Sequence, residues 1–205
     1  MLPKHEVLQQ LHQSKVVAVI RGNNQAEAVA ISEAAIKGGL HAIEVTYTTP
    51  NASDVIKILN KENALVGAGT VLDAETARDA LLHGAKFIVS PHFSEEISKV
   101  CNRYAVPYLP GCLTIKEMVT AYEHGCDVIK LFPANNFESP FIKAVNGPLP
   151  HVRIMPTGGI NVNNFTQWLE DGAFAVGIGS DLTKAFKEAG AQGVVEQCEK
   201  YLSKL

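Results

Sequence analysis

The chain has 205 residues, 46% of them apolar and 19% charged, which suits one soluble domain spanning 1–205 with a sizeable core. A net charge of −3 with no basic block argues against a nucleic-acid partner, and no apolar run approaches the ~18 residues of a spanning helix, which argues against a membrane one. The opening residues lack the charged and apolar regions of a signal peptide. Cys101, Cys112, Cys126 and Cys198 form no close pair, and the seven histidines are scattered. We therefore expect a reducing cytoplasm, free thiols and no metal site.

In chain order, residues 4–13 read as a helix that covers one end of the fold. A β-rich run follows at 16–20, then an amphipathic helix at 25–37 with Ala28, Ile31, Ala35 and Ile36 on one face and Gly38-Gly39 after it. The alternation continues with a strand at 42–46, a helix at 51–60, a strand at 65–67 and a helix at 73–83 opened by Asp73 and closed by Gly84. A strand at 87–90 precedes a helix at 95–104 opened by Ser94; a strand at 107–109 precedes a helix at 115–124 opened by Thr114. Strands at 128–132 and 152–155, a helix at 163–170 and a strand at 173–177 complete the series. Eight alternating units at near-even spacing predict an α/β fold with a parallel sheet, and eight is the number that closes a (β/α)8 TIM barrel, here with an extra N-terminal helix. An open doubly wound sheet is the alternative, although Arg21-Gly-Asn-Asn after the first strand lacks its glycine fingerprint.

In a barrel, chemistry sits at the C-terminal ends of the strands. Lys130 stands between Ile129 and Leu131 in an apolar strand, where an ammonium is costly and an amine nucleophile finds use. Alternation turns Lys130 and, on the second strand, Glu44 toward the barrel interior, with Ile43 and Val45 toward the helices. Arg21 ends the first strand in the parity of Val17 and Val19, and Gly67-Ala-Gly-Thr70 ends the third. Burial disfavours the lysine's charge and a neighbouring glutamate favours it; the sequence leaves that balance open. Together these groups fit a keto-acid site: an amine for the ketone, a carboxylate to move protons, a guanidinium and a hydroxyl for the substrate carboxylate. The alternative is an ion pair that only ties strands together. Pro156-Thr-Gly-Gly159 and Gly177-Ile-Gly-Ser180 follow the seventh and eighth strands, where many barrels hold a phosphate on backbone N–H groups; glycine-lined turns without a ligand are the other reading.

These motifs, with Val19-Ile-Arg21, Ile43-Glu-Val-Thr46, Val66-Gly-Ala-Gly-Thr70, Ile88-Val-Ser-Pro91, Leu109-Pro-Gly111 and Ile129-Lys-Leu-Phe-Pro-Ala134, extend over nearly the whole chain. In that order they resemble the family of 2-keto-3-deoxy-6-phosphogluconate (KDPG) and 4-hydroxy-2-oxoglutarate (KHG) aldolases. The resemblance implies a class I aldolase that needs no metal or other cofactor and cleaves a phosphorylated keto acid to pyruvate and glyceraldehyde 3-phosphate. It implies Lys130 as the Schiff-base lysine and Glu44 as the general acid and base. It places Arg21 and Thr70 near the pyruvate carboxylate, Pro91 and Phe132 in the pocket wall, and Gly158, Gly159, Gly179 and Ser180 at the phosphate. It also implies a homotrimer. The chain departs at Thr48, where many members carry an arginine; Arg21 is the candidate to supply that charge. Outside this family the motifs leave two other readings, a different sugar-phosphate lyase or isomerase and a non-catalytic phosphometabolite-binding protein.

Overall fold

Runs of β-branched residues bounded by capped helices dictate the architecture. The computed structural model describes residues 2–205. In order the elements are α1 (Pro3–Ser14), β1 (Val16–Ile20), α2 (Gln25–Lys37), β2 (Ala42–Thr46), α3 (Ala52–Leu59) and β3 (Leu65–Gly69). They continue with α4 (Ala74–Leu82), β4 (Ile88–Val89), α5 (Glu95–Arg103), β5 (Tyr108–Leu109), β6 (Gly111–Cys112) and α6 (Ile115–Glu123). The last are β7 (Ile129–Leu131), α7 (Phe141–Asn146), β8 (Ile154–Pro156), α8 (Phe165–Glu170), β9 (Val176–Ile178) and α9 (Ser180–Leu202). Asn24, Asp73, Ser94 and Thr114 each accept a backbone N–H at the start of α2, α4, α5 and α6, and Thr114 with Glu117 forms a reciprocal capping box.

Every strand pairing among the described residues is parallel. Six strands form one curled sheet in the order β5-β4-β3-β2-β1-β9, and three form another in the order β6-β7-β8. The fifth expected strand, at 107–109, is β5, and a further short strand that was not expected, β6, follows it in the other sheet. Pro110, which has no N–H to give a ladder, separates β5 from β6, and its carbonyl accepts the Lys130 N–H at 2.9 Å. On the other side, β8 and β9 meet through an isolated parallel bridge between Thr157 and Gly177. Two helices were absent from the sequence expectation, α7 and α9.

The curl separates two apolar clusters. Ile43, Val45, Ile129, Leu131, Ile154 and Ile178 pack outward against the helices. Val17, Ala42, Phe87, Val89, Leu109, Val128 and Met155 pack inward on one another, and Leu11 from α1 joins them, fully buried. A Cβ on Gly67 would lie 2.5 Å from the Phe87 ring, so the bare glycine gives that ring its place. Burying a leucine such as Leu11 contributes about 1.5–3 kcal/mol and helps to fasten α1 against the strands.

Candidate active site

Two of the expected side chains meet inside the curl of the sheet. Lys130, midway along β7, and Glu44, midway along β2, both point inward and are buried. Their Nζ and Oε1 atoms stand 3.4 Å apart. Gly69 makes this pairing feasible: a Cβ there would lie 2.6 Å from Glu44 Cγ and would overlap Oε1. The other carboxylate oxygen, Glu44 Oε2, is buried with no hydrogen-bond partner among the described residues. Such an oxygen is costly in a purely structural ion pair and serviceable in a site that moves protons. Lys130 Nζ also lies 5.1 Å from the centroid of the Phe132 ring. Cys112, level with Leu131 on the adjoining β6, is no rival nucleophile, because burial pushes its thiol up to about 12.

Beyond Phe132 opens a pocket of about 580 Å³. Arg21, Phe132, Thr157, Gly158, Gly159, Gly179 and Ser180 stand on its wall. Gly158 and Gly159 have φ of 95° and 76°, which a side chain disfavours, and a Cβ on Gly159 would lie 2.7 Å from Asn135 Cβ. Gly179 is the N-cap of α9 and Ser180 its first residue, so the helix mouth faces the pocket. Of the expected residues, four stand off this wall: the buried pair Lys130 and Glu44, and Thr70 and Pro91, just past the ends of β3 and β4. Thr70 holds φ of 56°, a left-handed conformation that costs a β-branched residue about 1–3 kcal/mol and is retained mainly where function demands it. Pro91 packs against Gly111, where a Cβ would overlap the Pro91 carbonyl and lie 2.8 Å from the His92 nitrogen.

Threonines fix the end of β1. Thr46 Oγ1 donates to Ile20 O at 2.9 Å, and the Gly22 N–H donates to Thr49 Oγ1 at 3.1 Å, so Arg21 is clamped on both sides. Since the Thr46 hydroxyl proton is engaged by Ile20, Thr48 Oγ1 donates to Thr46 Oγ1 at 2.9 Å. The structure sets Arg21 on the glycine-loop wall. Further residues of that wall were not singled out from the sequence, among them the polar Thr157, Thr183, Lys184 and Lys187. Thr157 lay within the Pro156-Thr-Gly-Gly159 motif. The lysines lay three apart just after Ser180, on a helix that the sequence did not announce.

The family model for KDPG and KHG aldolases matches residues 7–197. The 2-dehydro-3-deoxy-phosphogluconate aldolase of Pseudomonas aeruginosa is 35% identical over 189 residues, covering 90% of this chain and 86% of that enzyme. Among solved structures, the KDPG aldolase of Zymomonas mobilis ZM4 with 3-phosphoglycerate superposes with a TM-score of 0.86 at 29% identity, over 97% of this chain and 95% of that one. The KDPG aldolase of Legionella pneumophila, with pyruvate captured as a covalent carbinolamine intermediate, does so at 0.83 and 31%, over 94% and 96%. The chain belongs to the KDPG and KHG aldolase family.

Proposed function

We propose that this protein is a class I aldolase that cleaves 2-keto-3-deoxy-6-phosphogluconate to pyruvate and glyceraldehyde 3-phosphate, with 4-hydroxy-2-oxoglutarate as a second substrate. The observation that carries this reading is the buried Lys130–Glu44 pair at 3.4 Å, with a free carboxylate oxygen beside it. Glu44 takes a proton from the amine, and Lys130 Nζ adds to the C2 ketone to give a carbinolamine. Glu44 returns a proton to the departing hydroxyl, and water leaves as the iminium forms. The same carboxylate then removes the C4 hydroxyl proton. The C3–C4 bond breaks, the aldehyde leaves, and the bonding electrons pass into the iminium as an enamine. Protonation at C3 and hydrolysis release pyruvate and restore the amine. Thr70 holds the pyruvate carboxylate, Pro91 and Phe132 wall the reacting carbons, and Gly158, Gly159, Gly179 and Ser180 receive the phosphate on backbone N–H groups.

The fold reading that goes with this function is a closed (β/α)8 barrel with α1 across its floor. The continuity of β5 into β6 and the Thr157–Gly177 bridge support it, since each spans a seam between the two sheets. Four buried free thiols suit a reducing cytoplasm. No described helix is long and apolar enough to cross a membrane. The homotrimer implied by the family resemblance suits the exposed Leu113, Ile115 and Val119, which lead into and line one face of α6.

Borohydride reduction in the presence of pyruvate tests the chemistry. A pyruvyl adduct should appear on Lys130 by peptide mass, and Lys130→Ala should keep its circular dichroism while losing both adduct and turnover. An unmodified Lys130 would refute the Schiff-base route. It would leave a sugar-phosphate isomerase or a silent binding protein in its place.

A further inference from the structure

We propose that Lys184 and Lys187 set the charge specificity of the pocket, selecting a dianionic phosphate tail and making the phosphorylated keto acid the preferred substrate over 4-hydroxy-2-oxoglutarate. This rests on the aldolase reading and decides between the two substrates it allows. The pocket wall carries three cationic side chains, Arg21, Lys184 and Lys187, and no acidic one. Arg21 is held from the β1 side by the Thr46 and Thr49 clamps. The two lysines come from the adjoining unit, since α9 follows β9 and β9 pairs with β1; they stand three residues apart on one face of α9, which runs regularly from Ser180 until Ala189 and Gly190 leave helical geometry. Lys187 has no ion-pair partner among the described residues. Lys184 has only the exposed Glu188 at 3.9 Å, a contact that yields readily to a better anion.

The inner part of the same pocket points to a ligand independently. Thr157 Oγ1 is buried on its wall and has no hydrogen-bond partner among the described residues. Leu182 and Thr183 turn their N–H groups back to Gly179 O, which leaves Ser180 and Asp181 at the helix mouth. An anion seated there meets neutral donors inside and cations outside. Phe132 sets the reach. Its ring lies 5.1 Å from Lys130 Nζ and 3.6 Å from where a Gly158 Cβ would stand, so the glycine-loop wall, which the lysines share, begins one ring beyond the reacting carbons. The second carboxylate of 4-hydroxy-2-oxoglutarate is bonded directly to C4 and falls short of that wall. A phosphate on C6, two carbons beyond C4, stands further out and enters it.

The test is the double variant Lys184→Gln/Lys187→Gln, assayed by pyruvate release with both substrates. The ratio of kcat/KM for the phosphorylated substrate to that for 4-hydroxy-2-oxoglutarate should fall by about tenfold or more, through KM rather than kcat. The KM for the phosphorylated substrate should also lose much of its dependence on ionic strength. An unchanged ratio, with borohydride still trapping pyruvate on Lys130, would overturn the lysine proposal alone. Failure of trapping in the unsubstituted protein would overturn the aldolase reading and this proposal with it.

Discussion

At the scale of single residues, two positions on one strand end govern the catalytic pair. Gly69 has ordinary extended geometry, so alanine meets no backbone objection there; its Cβ would overlap Glu44 Oε1 and lie 2.7 Å from Cδ. Gly69→Ala should therefore push the carboxylate off Lys130 and lower kcat by about 10²-fold or more, the usual worth of a placed acid–base group. Steady-state pyruvate release on a variant with unaltered circular dichroism checks this; a near-normal kcat would show that Glu44 does not need its observed position. Thr70, next in the chain, is strained at φ of 56°. Thr70→Gly should raise stability by about 1 kcal/mol in urea unfolding, because glycine accepts that conformation freely, while kcat/KM falls at least about tenfold. A variant neither more stable nor less active would mean that the strain serves nothing. Lys130 was legible in the sequence because a charge in an apolar strand has few uses. The strain at Thr70 was not, because it arises from the chain's path over the site rather than from local composition.

At the scale of elements, the strands and helices that repeat one plan were readable, and those that break the plan were not. Alternating apolar residues and capping side chains announced α2, α4, α5 and α6. Strand β6 was missed because Pro110, just before it, reads as a strand end. Helix α9 hid because Gly190 and Gly193 punctuate it and Ala189 leaves helical geometry. The fold needs those glycines: a Cβ on Gly193 would lie 2.6 Å from Ala185 O, so the second segment packs back on the first. Asp181 holds this hairpin to the pocket. Its Oδ2 accepts from Tyr201 Oη at 2.7 Å, Gln197 Nε2 at 3.3 Å and the Val162 N–H at 3.3 Å. Asp181→Ala orphans three donors, one of them on the fully buried Tyr201, and should cost about 1–3 kcal/mol. Tyr201→Phe alone should cost about 1 kcal/mol, and a double-mutant cycle by denaturant unfolding should return a coupling of about 1 kcal/mol. Additive costs would mean that the two segments of α9 are held by packing alone.

For the whole molecule, stability is distributed around the sheet by carboxylates that sit at helix starts and loop crossings. The Ser53 hydroxyl, with Tyr47 and His83, holds Asp79 below the usual carboxylate range and ties α4 to the loop after β2. The Thr76 hydrogen bonds do the same for Asp73, and the Leu113 and Thr114 N–H groups for Glu117. Lys143, then Ser139, lowers Asp171, the residue that ends α8, and so ties α8 to α7 and the turn before it. The local caps were legible, Asp73 among them, but the even alternation of units carried no trace of the Asp79 and Asp171 ties, which join side chains 26 to 32 residues apart in sequence. Each group has a folded value below its unfolded one of about 4, so the stability it contributes is complete above that value and is lost as pH falls through the folded value. The melting temperature should therefore stay nearly level from pH 7 to about 5 and drop steeply below about pH 4. Asp79→Asn, which removes one of these titrations, should melt lower at neutral pH yet fall less on acidification. Scanning calorimetry across that range decides the matter. A wild-type melting temperature that holds or rises below pH 4, or an Asp79→Asn variant with an unaltered acid slope, would place the cohesion of the fold in its apolar layers instead of in these paired carboxylates.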